Sequence, residues 1–462
     1  MRAILAMLFV LIPYLTVTAA DPVSNWKVGV ASAVITPPQP IWMAGYAART
    51  KPAEGKAQDL FAKALAIEDN AGSRIVIVTL DLISVPRFLR DRLETAVKDK
   101  YNLPAEGLLL NCSHTHCGPE FRRRPANATG EPTERERQAA EYADRLESQL
   151  LSLIGSALKD LSPAQLHFHR ARCGFAMNRR LPITDGWKNS PNPDGPVDHD
   201  VPVLRVVNPK GEQRAILFGY ACHNTTLGFY QWCGDYAGFA QEFLERANPG
   251  TTALFLAGCG GDQNPYPRGT LELARLHGET LAAAVMAALQ TPGKVLSGPL
   301  RGAIDLAQVD YARTPTREAL QASLAKVKNK YEQGYYERLL RHLDTVGPLP
   351  NSYRVPVQVL RFGTDLTLVA LPGETVVDYS LRVKRDLKSD RSAVWVAGYS
   401  NDVFAYLPSR RVLQEGGYEG GGALIYSSFP HPSPFADTVE DRIVGMVLSL
   451  YAKTEYPTTQ EK

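Results

Sequence analysis

Gly107-Leu-Leu-Leu-Asn111-Cys112-Ser-His114-Thr-His116-Cys-Gly-Pro119 is an apolar run that stops at a cluster of side chains able to do chemistry. Four more stretches repeat the pattern. Ala215-Ile-Leu-Phe218 precedes Cys222-His223-Asn-Thr-Thr226, and Ala253-Leu-Phe-Leu256 precedes Gly258-Cys-Gly-Gly-Asp262-Gln-Asn264-Pro. Thr367-Leu-Val-Ala-Leu371 leads into Pro372-Gly-Glu374, and Ala393-Val-Trp-Val-Ala397 into Tyr399-Ser-Asn401-Asp402. Short apolar runs bounded by Gly and Pro read as buried strands. In open α/β sheets, ligand-binding groups gather past the carboxyl ends of such strands. The chain therefore reads as an α/β enzyme with one site assembled from several strand ends.

The N-terminus carries Met1-Arg2, an apolar core from Ile4 to Ile12 and small residues at Val17-Thr-Ala-Ala20. That order reads as a secretory signal peptide over residues 1–20, so the mature protein is expected in the periplasm or outside the cell. No later segment approaches the roughly 20 apolar residues of a spanning helix. The net charge is +3 and the run Arg122-Arg-Arg124 is isolated, which argues against a nucleic-acid partner. Of the six cysteines, some are expected to pair in an oxidising compartment, with the connectivity left open. None has the CxxC spacing of a zinc knuckle.

Residues 27–83 read as strands. Glu131 to Leu158 carries helical periodicity, as does Thr316 to Leu343, which is charged on most faces and reads as a solvated surface helix. Ile183 to Val201, rich in Pro, Gly, Asn and Asp, reads as a long surface loop. Gly416 to Gly422 reads as a tight loop of functional use.

His114 and His116 stand at i and i+2, which on extended backbone would send both imidazoles into one cavity. His223 follows a second strand. Glu374 follows Pro-Gly, where a helix N-terminus could hold its carboxylate. Imidazoles with a carboxylate suit zinc, which takes nitrogen and oxygen ligands and activates water for amide or ester hydrolysis. The chain lacks both HExxH and GxSxG, so the common zincin and α/β-hydrolase arrangements are disfavoured.

Ser113-His-Thr-His-Cys-Gly-Pro119 resembles the Thr-His-Thr-His-Ser-Gly-Pro motif of the neutral, non-lysosomal ceramidases, zinc amidases that cleave the N-acyl bond of ceramide. The resemblance continues in order through Met43-Ala-Gly-Tyr46, Asn178-Arg179, His223-Asn-Thr-Thr226, Gly261-Asp262, Pro372-Gly-Glu374, Asn401 to Tyr406 and Tyr418-Glu-Gly420. It implies mixed sheets with flanking helices, a catalytic domain over residues 21–440, and a C-terminal helix and tail over 441–462. It further implies zinc held by His114, His223, Glu374 and Tyr406. His116 and Arg179 would line the pocket, and Tyr418 would hydrogen-bond the substrate or its oxyanion.

Two features depart from the family pattern. Asn264 stands where the family has a serine, so no acyl-enzyme is expected there, although the amide could orient a carbonyl. The family's C-terminal β-sandwich has no counterpart after Pro432. The expected activity is hydrolysis of an N-acyl bond by metal-activated water, with a small-molecule or lipid amide as partner and room for peripheral membrane contact. Alternatives are a polar amide, an ester or an acylated sugar as substrate, or a non-catalytic binding protein on the same fold.

Overall fold

The computed structural model describes residues 25–123 and 130–455. The leader read over residues 1–20, Arg124 and the end of the tail lie outside the described residues.

Period-two alternation along the strands decides the layering. In Phe61–Asp69, Ala62, Ala64 and Ala66 face one core while Leu65 and Ile67 face another. Arg74–Leu80 divides likewise, with Val76 and Val78 opposite Ile75 and Ile77. A strand apolar on both faces has to be covered twice. One face of a nine-stranded sheet is covered by helices, including Arg87–Tyr101, Glu134–Lys159, Asp235–Ala247 and Leu271–Leu289. The other face meets a four-stranded sheet built from Leu300–Asp310, Ser352–Phe362, Leu366–Ala370 and Ala393–Ala397.

Leu360, Phe362, Leu366, Leu368 and Trp395 fill the space between the sheets. Each fully buried aliphatic of this kind contributes about 1.5–3 kcal/mol. Gly219 makes room for the largest of them, since a Cβ there would sit 2.9 Å from the Trp395 ring. Val355, Val357, Val369 and Val396 point outward, under the helices Val377–Asp386 and Val439–Lys453. The order of layers is helix, sheet, sheet, helix.

All five apolar runs are strands. Leu108–Cys112 pairs in parallel with Arg74–Leu80, Gln213–Tyr220 with Thr252–Ala257, and Leu366–Ala370 with Ala393–Ala397. Short bridges between Asn111 and Ser400, and between Gly258 and Ala397, tie the ends of the two sheets together. The Asn111 side chain completes the junction. Its Nδ2 donates to Gly398 O at 2.7 Å and Ser400 Oγ at 3.1 Å, while its Oδ1 accepts from Ala257 N at 2.8 Å.

Several expectations need correction. Ile183 to Val201 is loop only in part: Gly186–Asn192 is a strand paired with Ala176–Ile183, residues 193–199 are irregular, and Val201 already belongs to Asp200–Val207. The two-residue turn at Thr184-Asp185 before Gly186 is a hairpin signal that the polar composition hides. Thr316 to Leu343 is two helices, Arg317–Leu324 and Lys330–Thr345. Asn329 starts the second by accepting from Tyr331 N at 2.8 Å. This pair is not solvated all round, because Leu320, Tyr335 and Leu339 pack with Leu349 and Leu424. All six cysteines are buried free thiols, and they serve as small core residues. The long helix over 134–159 starts where Thr133 and Glu136 form a reciprocal capping box. Among the described residues no helix is long and apolar enough to cross a membrane.

Candidate metal and hydrolytic site

The five strand ends converge on one cavity, and the backbone there is bent to fit. Among the described residues five non-glycine positions have positive φ; His114 (59°) and Tyr399 (47°) lie at the site, and Asn401 (63°) in the adjoining sheet junction, bonded to Leu110 and Gln358. Such conformations cost about 1–3 kcal/mol each and persist where the surroundings enforce them. His114 is therefore not on extended backbone, and strand alternation does not bring His114 and His116 together. The left-handed turn does, placing their Nε2 atoms 3.1 Å apart.

His114 Nδ1 lies 2.6 Å from Ile83 O, and His223 Nδ1 lies 2.7 Å from Gly260 O. A carbonyl only accepts, so each Nδ1 carries the proton and each Nε2 presents a lone pair. Both Nε2 atoms face Glu374 Oε2, at 3.2 and 3.1 Å. Burial raises the Glu374 carboxyl, but His114 and His223 outweigh it and hold the group well below the usual range. Burial, with Arg179 adding to it, pushes His223 down to about 4. With Nδ1 of each ring tied to a carbonyl, the two Nε2 atoms and the Glu374 carboxylate are the atoms turned to one point, where all three would serve as ligands to a cation. Zinc bonds of 2.0–2.1 Å in a tetrahedron put ligand atoms about 3.4 Å apart, close to the spacing seen. The donor set fits a metal ion.

Glu374 caps no helix. It lies in the short strand Glu374–Thr375, in register with Tyr406 on Tyr406–Leu407. The next helix begins at Val377, whose N–H donates to Asp262 Oδ1 at 2.8 Å. The Tyr406 hydroxyl lies 3.4 Å from His223 Nε2. Burial raises Tyr406 well above an ordinary phenol, with Arg179 opposing.

Ligating nitrogens of His114, His116 and His223 fall within 4.8 Å of one another. His116 nevertheless differs from the other two, because its buried Nδ1 has no hydrogen-bond partner among the described residues. Packing orients its ring instead. Tyr46 lies against it at 4.7 Å, and Gly45 (φ 99°) leaves space where a Cβ would come within 2.6 Å of the imidazole.

Arg179 organises the opposite wall. Its Nε donates to Glu419 at 2.8 Å, Nη1 to Asn264 Oδ1 at 3.2 Å and Nη2 to Tyr406 OH at 2.8 Å. Arg180 Nη1 reaches the other oxygen of Glu419 at 2.6 Å. Consecutive strand residues ordinarily face opposite sides. A bulge between Asn178 and Arg180 lets both guanidiniums meet one carboxylate. Thr225 Oγ1 also donates to Asn264 Oδ1, at 3.4 Å, so the Nδ2 end of Asn264 is free to donate. Tyr418 is half-exposed, its ring 5.4 Å from that of Tyr406. The structure thus brings all eight residues singled out from the sequence together, with Asn111, Tyr399 and Glu419 as further members. Asn111 was visible as a polar residue ending an apolar strand. Glu419 lay in the quoted Tyr418-Glu-Gly420 stretch, but nothing there pointed to Arg179, 240 positions away.

Asp262 is buried behind this wall. Burial, with Asp378 adding to it, pushes its carboxyl from 3.8 up to about 7. The folded state therefore holds this proton more tightly than the unfolded chain. The stabilisation is complete below 3.8 and is lost as pH rises through about 7. Urea midpoints between pH 4 and 8 should fall more steeply for the native protein than for Asp262→Asn, and equal slopes would contradict this.

Residues 26–259 match the family described as neutral/alkaline non-lysosomal ceramidase, N-terminal. That stretch includes His114, His116, Arg179 and His223; Asn264, Glu374, Tyr406 and Tyr418 follow it. Among solved structures, the neutral ceramidase from Pseudomonas aeruginosa is similar with a TM-score of 0.71 at 19% identity, over 94% of this chain and 76% of that one. A ceramidase complexed with C2 gives 0.69 at 18% identity, over 92% and 74%. The shared mixed-sheet fold with flanking helices is the one described above.

Proposed function

The chain belongs to the neutral/alkaline non-lysosomal ceramidase family, and from that premise we propose that it is an exported, zinc-dependent hydrolase of N-acyl amides. The observation that carries the reading is the convergence of two Nε2 lone pairs and one carboxylate oxygen within 3.1–3.2 Å. His114, His223, Glu374 and Tyr406 would hold the ion. When bound, zinc supplies a Lewis acid for the carbonyl and acidifies water towards neutral pH.

The chain's own groups do the rest. Arg179 fixes the Tyr406 hydroxyl and turns Asn264 so that Nδ2 can donate to the substrate carbonyl oxygen. One such donor is typically worth about 10²–10³ in kcat. His116 and Tyr418 line the cavity beside the reacting bond. Asn264 offers no nucleophilic hydroxyl, which favours direct attack by water over an acyl-enzyme. The same amide also favours a polar substrate, whether amide, ester or acylated sugar, because a buried amide needs hydrogen-bond partners that a hydrocarbon lacks.

Elemental analysis of the purified protein should find about one zinc per chain. A strong chelator should abolish turnover on a panel of N-acyl amides, and added zinc should restore it. Unchanged turnover after the metal is removed would sink the zinc reading. A zinc-loaded protein silent on every substrate would instead be the binding protein. Export is tested by the N-terminal mass of the mature chain, expected to begin after Ala20.

A further inference from the structure

Two chain segments orient the ligand cluster through their backbones. Residues 81–86 join the strand Arg74–Leu80 to the helix Arg87–Tyr101, and the Ile83 carbonyl within them fixes the His114 ring. Residues 398–405 follow the strand Ala393–Ala397 and fix Glu374. There, Asp402 O accepts from Gly373 N at 2.8 Å and Ala405 O from Glu374 N at 2.9 Å. Gly373 (φ 68°) is pressed so close that a Cβ would sit 2.7 Å from Ala405 O. A shift of either segment therefore changes the 3.2 Å gap between His114 Nε2 and Glu374 Oε2.

One buried charge locks the two segments together. Asp402 is 1% exposed, and its Oδ2 accepts from Arg87 Nε at 2.9 Å, Arg87 Nη2 at 2.6 Å and the Tyr353 hydroxyl at 2.9 Å. Arg87 Nη2 also donates to Arg354 O at 2.6 Å, and Val403 N donates to Val85 O at 2.8 Å. Tyr353 and Arg354 belong to the strand Ser352–Phe362 of the four-stranded sheet. Three pieces thus meet at one carboxylate: the start of a helix on the large sheet, the segment that holds Glu374, and a strand of the second sheet. A carboxylate withdrawn from water depends on such donors, and losing one leaves the charge uncompensated. Ile83, Val403 and Phe404 line the cleft at His114 and Glu374, and Tyr353 packs on Phe404 with ring centroids 4.7 Å apart. The trio acts through these neighbours.

We propose that Arg87, Asp402 and Tyr353 are positioning residues that set the spacing of His114 and Glu374 and so tune the affinity of the site for its metal. The inference rests on the zinc reading above. Groups that orient a metal ligand are worth about 10–100-fold in metal affinity. The Ile83 and Ala405 carbonyls stand in that relation to His114 and Glu374, and the trio holds those carbonyls in place. It is one step further out, so its loss belongs at the lower end of the range.

The test titrates the zinc-loaded protein with a chromogenic chelator, a readout independent of turnover. Arg87→Ala and Asp402→Asn are each expected to raise the zinc dissociation constant about tenfold. Arg87→Lys keeps the charge and should recover part of the loss. Tyr353→Phe removes a single hydroxyl and should shift affinity the same way by less, which keeps the proposal testable if Arg87→Ala does not fold. Lys63→Met controls for general destabilisation. It breaks a pair with Glu245 at 2.6 Å whose lysine is 3% exposed, and it lies in neither segment. It should lower the melting temperature and leave zinc affinity unchanged. Native zinc affinity in Asp402→Asn and Tyr353→Phe, or an equal loss in Lys63→Met, would overturn the positioning role and leave the hydrolase standing. A native protein that binds no zinc would overturn both.

Discussion

His114→Ala and His223→Ala are each expected to lose the metal and the activity together. Substitutions that touch only the partner of a metal-bound imidazole cost about 10–100-fold in affinity or rate. Removing the ligand itself should exceed that, with kcat/KM falling by more than about 10³-fold. Either change deletes one of two lone pairs that face Glu374 Oε2 at 3.2 and 3.1 Å. It leaves Glu374, a single imidazole and Tyr406, one ligand short of the proposed four. His116→Ala provides the contrast: it should keep most of the metal and lose turnover, because no carbonyl fixes its ring as one fixes each of the other two. Metal content by elemental analysis, set beside a thermal melt of each variant, decides the matter. Full metal retention in both His114→Ala and His223→Ala would remove them from the ligand set.

Glu419→Ala carries the second large effect, on stability. Its carboxylate joins Arg179 Nε at 2.8 Å and Arg180 Nη1 at 2.6 Å, and the three side chains are 1–6% exposed. Deleting one partner of a buried ion pair costs about 3–5 kcal/mol, because the remaining charge is left uncompensated. Arg180 keeps Glu415 at 3.1 Å, but Arg179 retains only the neutral Asn264 and Tyr406. Urea unfolding should show the loss. Glu419→Gln, which preserves shape and one acceptor, should recover part of it. A change under about 1 kcal/mol in Glu419→Ala, the range of surface pairs, would contradict the buried network.

The layers and the cavity were legible in the sequence for one reason. Strands buried on both faces have to be apolar throughout, and the first polar residue after them marks the sheet's edge. Leu108–Cys112 and Thr252–Ala257 announce themselves this way, and His114, His223 and Asn264 follow from position alone. The backbone at those residues was not legible. The φ of 59° at His114 is enforced by tertiary contacts, so the alternation argument for the histidine pair reached the right neighbours by the wrong geometry. The hairpin at Thr184-Asp185 was hidden because its strand, Gly186–Asn192, is polar and carries no apolar signature. Glu419 stood inside Tyr418-Glu-Gly420, a stretch that resembles the family, but its partners were hidden. An isolated glutamate among glycines does not reveal that two arginines on a bulged strand will close on it.

The Asn111 junction sets a timetable. His114 and His223 are carried by one sheet, Glu374 and Tyr406 lie beyond strands of the other, and the junction closes only when the two sheets dock. His223 and Glu374 are 151 residues apart, and a ribosome adds about 5–20 residues per second, so the carboxylate follows the imidazole by roughly 8–30 s. A nascent chain holding its first histidines therefore owns no complete ligand set, and its grip on any ion is correspondingly weak. If the site holds the metal proposed above, ion choice falls to wherever the second sheet docks, and the metals available there, not those at the ribosome, would decide what is bound.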